Sequence, residues 1–177
     1  MWADLAAPTP EAVAARVGTL EDRLPFLRPA LLRFLQELPA PDRGLGRTEA
    51  AILAGIASGT TSPVHLFHQV IVQEEAAFMG DSSFYGLLDD LASADVPLVA
   101  GLAPPAAADD DRERFEDAEL ELTMAGDDVL AGDADHVAMS GVDRWWAGTR
   151  LLGRDVWHYD RDQRLLHPPV GQGELGL

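Results

Sequence analysis

The chain contains no cysteine, which excludes disulfides, zinc–thiolate sites and thiol nucleophiles. It contains no lysine either, since all 13 basic residues are arginine. Schiff-base chemistry and the lysine of a nucleotide-binding P-loop are therefore excluded as well. Lysine-free, arginine-, alanine- and proline-rich usage reads as a genomic composition bias rather than a functional choice. Long apolar runs are missing: "LLRFLQEL" at 31–38 is typical, far short of the ~20 residues that span a bilayer. The start, "MWADLAAPTPEA", has no basic segment followed by an apolar core, so no secretory signal is expected and a cytoplasmic location is. No Gly-x-Ser-x-Gly elbow or glycine-rich phosphate loop occurs. Ser62, Ser82 and Ser83 read as helix caps rather than nucleophiles.

Carboxylates are what the chain has in excess, with 30 acids and a formal charge of −17. A 47% hydrophobic content over 177 residues is enough for a self-sufficient core, so the acid must cover the outside of an ordinary globular fold. Such a surface repels nucleic acid and anionic lipid. The charge is uneven. Positions 1–49 hold six Arg and seven acids, 109–135 twelve acids and two Arg, and 143–164 five Arg and four Asp.

Thr9-Pro10-Glu11 predicts a helix start, and the helix is expected to stop near Gly18. Leu27, Leu31, Phe34, Leu35 and Leu38 recur at helical spacing, with Arg28 and Arg33 off that face. "PAPDRGLG", 39–46, predicts a break and a subdomain boundary. Three helices follow. Thr48 caps the first, with Ile52, Leu53 and Ile56 inward and Gly59 at its end. Ser62-Pro63 opens the second, with Leu66, Phe67, Val70, Ile71 and Phe78 on its apolar face. Asp81, Ser82 or Ser83 caps the third, with Phe84, Leu87, Leu88 and Leu91 buried. "VPLVAGL" predicts a short buried extended piece and 103–118 a polar linker. Beyond it, "AELELTM", the turn "AGDD" and "VLAG" predict a hairpin. "RWWAGTRLL" and "VWHYD" predict another around Gly153-Arg154-Asp155, ahead of a loose tail. Three helices followed by hairpins is the element order of a winged helix. The expected fold class is α+β: a helical segment 1–43, a winged-helix-like domain 44–167 and a tail 168–177.

The motifs "GLGRTE", "FMGD" and "DRWWAGTRLLGRDVWHYD" carry a resemblance to the carboxy-terminal half of the bacterial domain-of-unknown-function family 1835. It extends from Trp2 to about Asp160. The family pairs this half with an amino-terminal half and has no established activity, so the resemblance implies a fold and a place in a family but no reaction.

Each candidate site has a bland reading beside the functional one. Arg144, Trp145, Trp146, Arg150, Arg154, Trp157 and Tyr159 intermix cations and aromatics, which suits an interaction surface; the alternation equally suits a half-buried sheet. Asp133, Asp135 and His136, Asp160 and Asp162, and His65 with His68 have ligand-like spacings, but none matches a calcium loop or a three-ligand set. Glu74 and Glu75 diverge by ~100° on a helix and do not converge on one substrate. In "GLGRTE", Arg47 is expected to pair with an acid of the hairpin and pin it to the helices. Thr48 and Glu49 open the helix there, and Gly126 forms the hairpin turn. Asp127 and Asp128 at that turn, and Asp89, Asp90 and Asp95 on the third helix, oppose DNA contact.

The expected function is a non-catalytic protein–protein interaction or regulatory module. The alternatives are a winged-helix nucleic-acid binder linked to transcription and a metal-assisted hydrolase. No cofactor is implied. The implied partner is another protein or the family's amino-terminal half, with a homo-oligomer open and neither nucleic acid nor membrane favoured.

Overall fold

The computed structural model describes residues 1–20, 24–74, 79–104 and 111–172, and it is an α+β protein. The expectations for Glu75, for Phe78 and for the last five residues of the tail fall outside the described residues. Contacts divide the chain into two units, 1–47 with 135–177 and 48–134. The carboxy-terminal hairpins therefore group with the amino-terminal helices, whereas the sequence placed them with the three central helices.

In the first unit, helices α1 (Trp2–Leu5), α2 (Glu11–Thr19) and α3 (Leu27–Leu35) accompany a short α9 (His136–Ser140) and two hairpins. Pro10 takes the cap position of α2, and the Thr9 hydroxyl donates to the Glu11 carboxylate instead of accepting from an N–H at the helix end. Along α3, Leu31 and Leu35 lie one turn apart and are buried together with Val13, Leu38, Val137 and Leu151. Arg33 is buried too, against expectation. Glu37, one turn later, pairs with it, which offsets the cost of taking a guanidinium out of water.

The expected break at 39–46 is stitched into this unit. Tyr159 N–H donates to Pro39 O (2.9 Å), His136 N–H to Arg43 O (2.9 Å) and the Arg161 guanidinium to Leu45 O (2.6 Å). Gly44 has φ +67°, and a Cβ there would fall 2.6 Å from both Asp135 Oδ1 and Val137 N. Only glycine meets both demands.

Strands β3 (Val142–Trp146) and β4 (Thr149–Gly153) form the first hairpin, with Trp146 opposite Thr149. Its turn is Ala147-Gly148, not the expected Gly153-Arg154-Asp155. A two-residue hairpin turn of this hand needs positive φ, and Ala147 supplies it at +50°. Ala-Gly lacks the Asn or Asp that marks such turns in a sequence. The second hairpin pairs β5 (His158–Asp160) with β6 (Leu165–His167). Its turn is organised by Asp160 Oδ1, which accepts from the N–H groups of Asp162 (2.9 Å) and Gln163 (2.8 Å). The first described residues of the expected loose tail are anchored. A 3₁₀ turn at Val170–Gln172 donates two N–H groups to the Asp155 carboxylate, at 2.6 and 3.0 Å.

The second unit contains α4 (from Arg47 to Ala57), α5 (Pro63–Val72), α6 (Asp81–Ser93), β1 (Val99–Ala100), α7 (Asp111–Glu116), β2 (Glu121–Leu122) and α8 (Met124–Ala131). Helix α4 begins at Arg47, so Thr48 lies inside its first turn, buried with Glu49, rather than capping it. Gly59, at φ +99°, follows the helix as expected. Ser62 accepts from His65 N–H and Pro63 takes the first helical position of α5. Phe84, Leu88 and Leu91 of α6 are fully buried with Ile52, Leu53 and Leu66. Within the expected linker, α7 buries Arg114 and Phe115; the linker's centre, 105–110, lies outside the described residues.

The hairpin expected over 118–131 does not exist. Glu121–Leu122 pairs instead with Val99–Ala100 from well upstream, and 124–131 is helical. Thr123 settles the choice: its hydroxyl accepts from Gly126 N–H (3.0 Å) and donates to Pro97 O (2.7 Å), capping α8 while tying it to β1. Gly126 is required for a reason other than a turn. A Cβ there would lie 2.2 Å from Leu98 O, where α8 crosses the backbone entering β1.

Candidate functional site

The β3–β4 ladder sorts the expected interaction residues by strand parity. Trp146 is 5% exposed, stacks on Phe34 with centroids 4.3 Å apart and donates its indole N–H to Phe34 O at 3.0 Å. Trp157 and Tyr159 are buried in the same core. Arg144 reaches Glu37 O, and Arg154 donates to Met139 O (2.9 Å). On the opposite face Trp145 is 67% exposed, with Arg150 as its cross-strand neighbour. Arg150 spans to Asp143 at 3.0 Å. Five of the seven residues are thus core or backbone ties, Arg154 among them although exposed, and Trp145 and Arg150 face outward from the ladder.

The other expected positions also take structural roles. Arg47 donates to the Gln36 side chain at 2.7 Å and, through its backbone N–H, to Gln36 O at 2.8 Å. The hairpin it was expected to pin is the helix α8. Asp135 caps α9 through Ala138 N–H (2.7 Å), and Asp160 is engaged by its turn. His65 and His68 are exposed on α5. Among the described residues no group of three or more His, Asp or Glu is placed to hold a metal ion.

What the sequence reading did not single out is a cleft of about 630 Å³ in the helical unit. Helix α6 forms one wall. Asp81, Tyr85 and Asp89 follow one another at four-residue spacing and so share a face, with Ser82 and Gly86 beside them. Helix α7 supplies Phe115 and Glu116, and α5 supplies Val64. The Tyr85 and Phe115 rings stack at 4.3 Å and 17°. At one end the buried Arg114 grips Asp89 with two nitrogens, donates to Ala103 O and lies 4.9 Å from the Phe115 ring centre. Burial holds the Arg114 pKa below its ordinary value. Burial also pushes the Tyr85 phenol up, and the nearby charges of Asp81 and Glu116 push it further. The phenol therefore stands in a negative field. The signal available in the sequence was an acid–Tyr–acid series at four-residue spacing, D81-x3-Y85-x3-D89. Its partners on α7 come from a segment read as linker.

Charge separates the two units as sharply as contact does. Residues 48–134 carry 18 acids against two arginines, a formal −16, and the remainder 12 acids against 11 arginines, a formal −1. No helix among the described residues is long and apolar enough to cross a membrane. No protein-family model, curated protein sequence or solved structure matches the chain.

Proposed function

We propose that the protein is a non-catalytic protein–protein interaction or regulatory module whose helical unit recruits a basic segment of a partner protein. The observation that carries this reading is the −16 concentrated on 48–134 beside a unit at −1. A charge that served solubility alone has no reason to collect on one unit. Concentrated on one, it raises the local concentration of a cationic partner and speeds encounter. The resemblance to family 1835 and a cytoplasmic location belong to the same proposal.

A second reading, a winged-helix nucleic-acid binder, draws support from the order α4, α5, α6, then the β1–β2 pair. In that reading α6 enters the major groove, yet α6 carries Asp81, Asp89 and Asp90 and no arginine. Each carboxylate there opposes the counterion release on which such affinity depends. The test is a salt titration at about 50 mM and 150 mM, electrostatic affinity being greater at the lower salt. One arm uses an arginine-rich peptide, the other duplex DNA and single-stranded RNA. Binding of peptide but not nucleic acid at the lower salt is the expected result. Nucleic-acid binding without peptide binding would reverse the order of the two readings.

A further inference from the structure

We propose that the outer face of the β3–β4 hairpin docks a second copy of this chain, forming a two-fold dimer. The inference stands apart from the basic-partner reading, which concerns residues 48–134. Strand register sets Asp143 beside Leu152 and Trp145 beside Arg150. Strand parity turns these four side chains away from the buried Trp146, Thr149 and Leu151. They form a square. The exposed Trp145 and Leu152 occupy one diagonal. Asp143 and Arg150, exposed as well, occupy the other and are joined at 3.0 Å.

Such a square complements itself. Let a second hairpin lie face to face with the first, about a two-fold axis along the apolar diagonal. Trp145 then meets Trp145 and Leu152 meets Leu152, while the same rotation exchanges the ends of the charged diagonal. Each Arg150 therefore stands opposite Asp143 of the second copy, and pairing across the interface replaces pairing within the face. The strands of the two hairpins cross at about 90°, one of the common sheet packings. Ion pairs are exchanged rather than gained, so the indole and Leu152 supply the drive and the charges set the orientation. Charge also names the occupant. The face is neutral and belongs to a unit of −1, whereas contact between copies through residues 48–134 brings −16 against −16. Of the ten large hydrophobics exposed among the described residues, eight belong to the −1 unit. Apolar surface is thus offered where charge permits a copy to approach. Four residues a side make a small interface, so the dimer is weak. It strengthens with salt, because screening relieves the repulsion between two chains of −17.

Sedimentation velocity on the full chain, from about 5 to about 500 µM at about 150 and about 500 mM salt, reads the association. A monomer–dimer equilibrium that tightens at the higher salt is expected. Trp145→Ser should weaken it about tenfold or more. Arg150→Glu and Asp143→Arg, each alone, should weaken it about tenfold, since each sets like charges face to face. An equimolar mixture of those two variants should associate as the wild type does, because every acid then faces a base. All three positions are exposed, so the variants should melt near the wild-type temperature. Restoration in the mixture separates docking from a merely structural role, since one misfolded variant does not mend another. A chain that stays monomeric at every concentration and salt overturns the second copy as occupant and leaves the face to a foreign partner. A dimer unchanged by Trp145→Ser overturns the face. A dimer that Trp145→Ser abolishes but the mixture fails to restore overturns the two-fold arrangement.

Discussion

Replacing Gly126 by alanine tests how the helical unit is closed. In an open helix the change should stabilise by about 1 kcal/mol, because alanine is the better helix former. Here the new Cβ lies 2.2 Å from Leu98 O, over 1 Å inside ordinary contact at 3.4 Å. Leu98 O is also the acceptor for Thr123 N–H at 3.1 Å. Retreat of α8 by the needed ångström stretches that bond and the Thr123 cap with it. Overpacking costs about 1–3 kcal/mol, and a lost buried hydrogen bond about 1–3 more. Set against the propensity gain, the net loss is about 1–5 kcal/mol, or roughly 2–20 °C in Tm for a chain of this size. Far-UV circular dichroism against urea and heat reads the effect. All four tryptophans, at 2, 145, 146 and 157, lie in the other unit, so their fluorescence reports whether the loss is confined to this one. Gly18→Ala is the matched control, in α2 with nothing within 4 Å of its Cβ, and should stabilise by about 0.5–1 kcal/mol. If Gly126→Ala is as stable as Gly18→Ala, the close approach of α8 to β1 is wrong.

Ala147 adopts φ +50° in the β3–β4 turn, so Ala147→Gly or Ala147→Asn should relieve about 1 kcal/mol of backbone strain, visible as a Tm rise of about 2–4 °C. Trp146→Ala should cost about 3–5 kcal/mol, whereas Trp145→Ala should stay within about 0.5 kcal/mol; equal losses in urea melts would refute the assigned facing of the strand. The Asp155 carboxyl is held below its usual 3.8, first by the Gly171 N–H and then by that of Val170. A lowered folded pKa contributes stability that is complete above 3.8 and is lost as pH falls below it. Hydrogen exchange at the Val170 and Gly171 amides should therefore quicken below about pH 3.8 relative to neighbouring amides, and Asp155→Asn should abolish that dependence.

The helices of the second unit were legible because each carries its own punctuation: Ser62-Pro63 starts α5, Gly59 follows α4, and Phe84, Leu88 and Leu91 keep helical spacing. Legibility failed where the deciding partner is distant in sequence. "AELELTM" alternates like a strand, but its mate is Val99–Ala100, and the Thr123 hydroxyl then turns the chain into helix. Arg33 looked like a surface residue until Glu37 is seen to pair with it. The aromatics of 145–159 announced a surface by composition; strand parity and the stacking of Phe34 on Trp146 put most of them inside. The cleft was invisible for the same reason, since Phe115 and Glu116 belong to a segment whose acid content masks a short helix.

The path of the chain through its two units has a consequence for its synthesis. It leaves the first unit at Arg47 and re-enters at Asp135, where Arg43 O and His136 N–H clasp the two crossings at 2.9 Å. The helical unit is thus complete as soon as residue 134 has left the ribosome, while Val13, Leu31 and Leu35 still lack Val137, Trp146 and Leu151. At roughly 5–20 residues per second, those apolar side chains wait on the order of ten seconds for their cover. During that interval the nascent amino-terminal helices expose apolar surface that the finished unit covers. Ribosome-bound chains halted before residue 135 should bind a chaperone there, and chains released after Tyr159 should not.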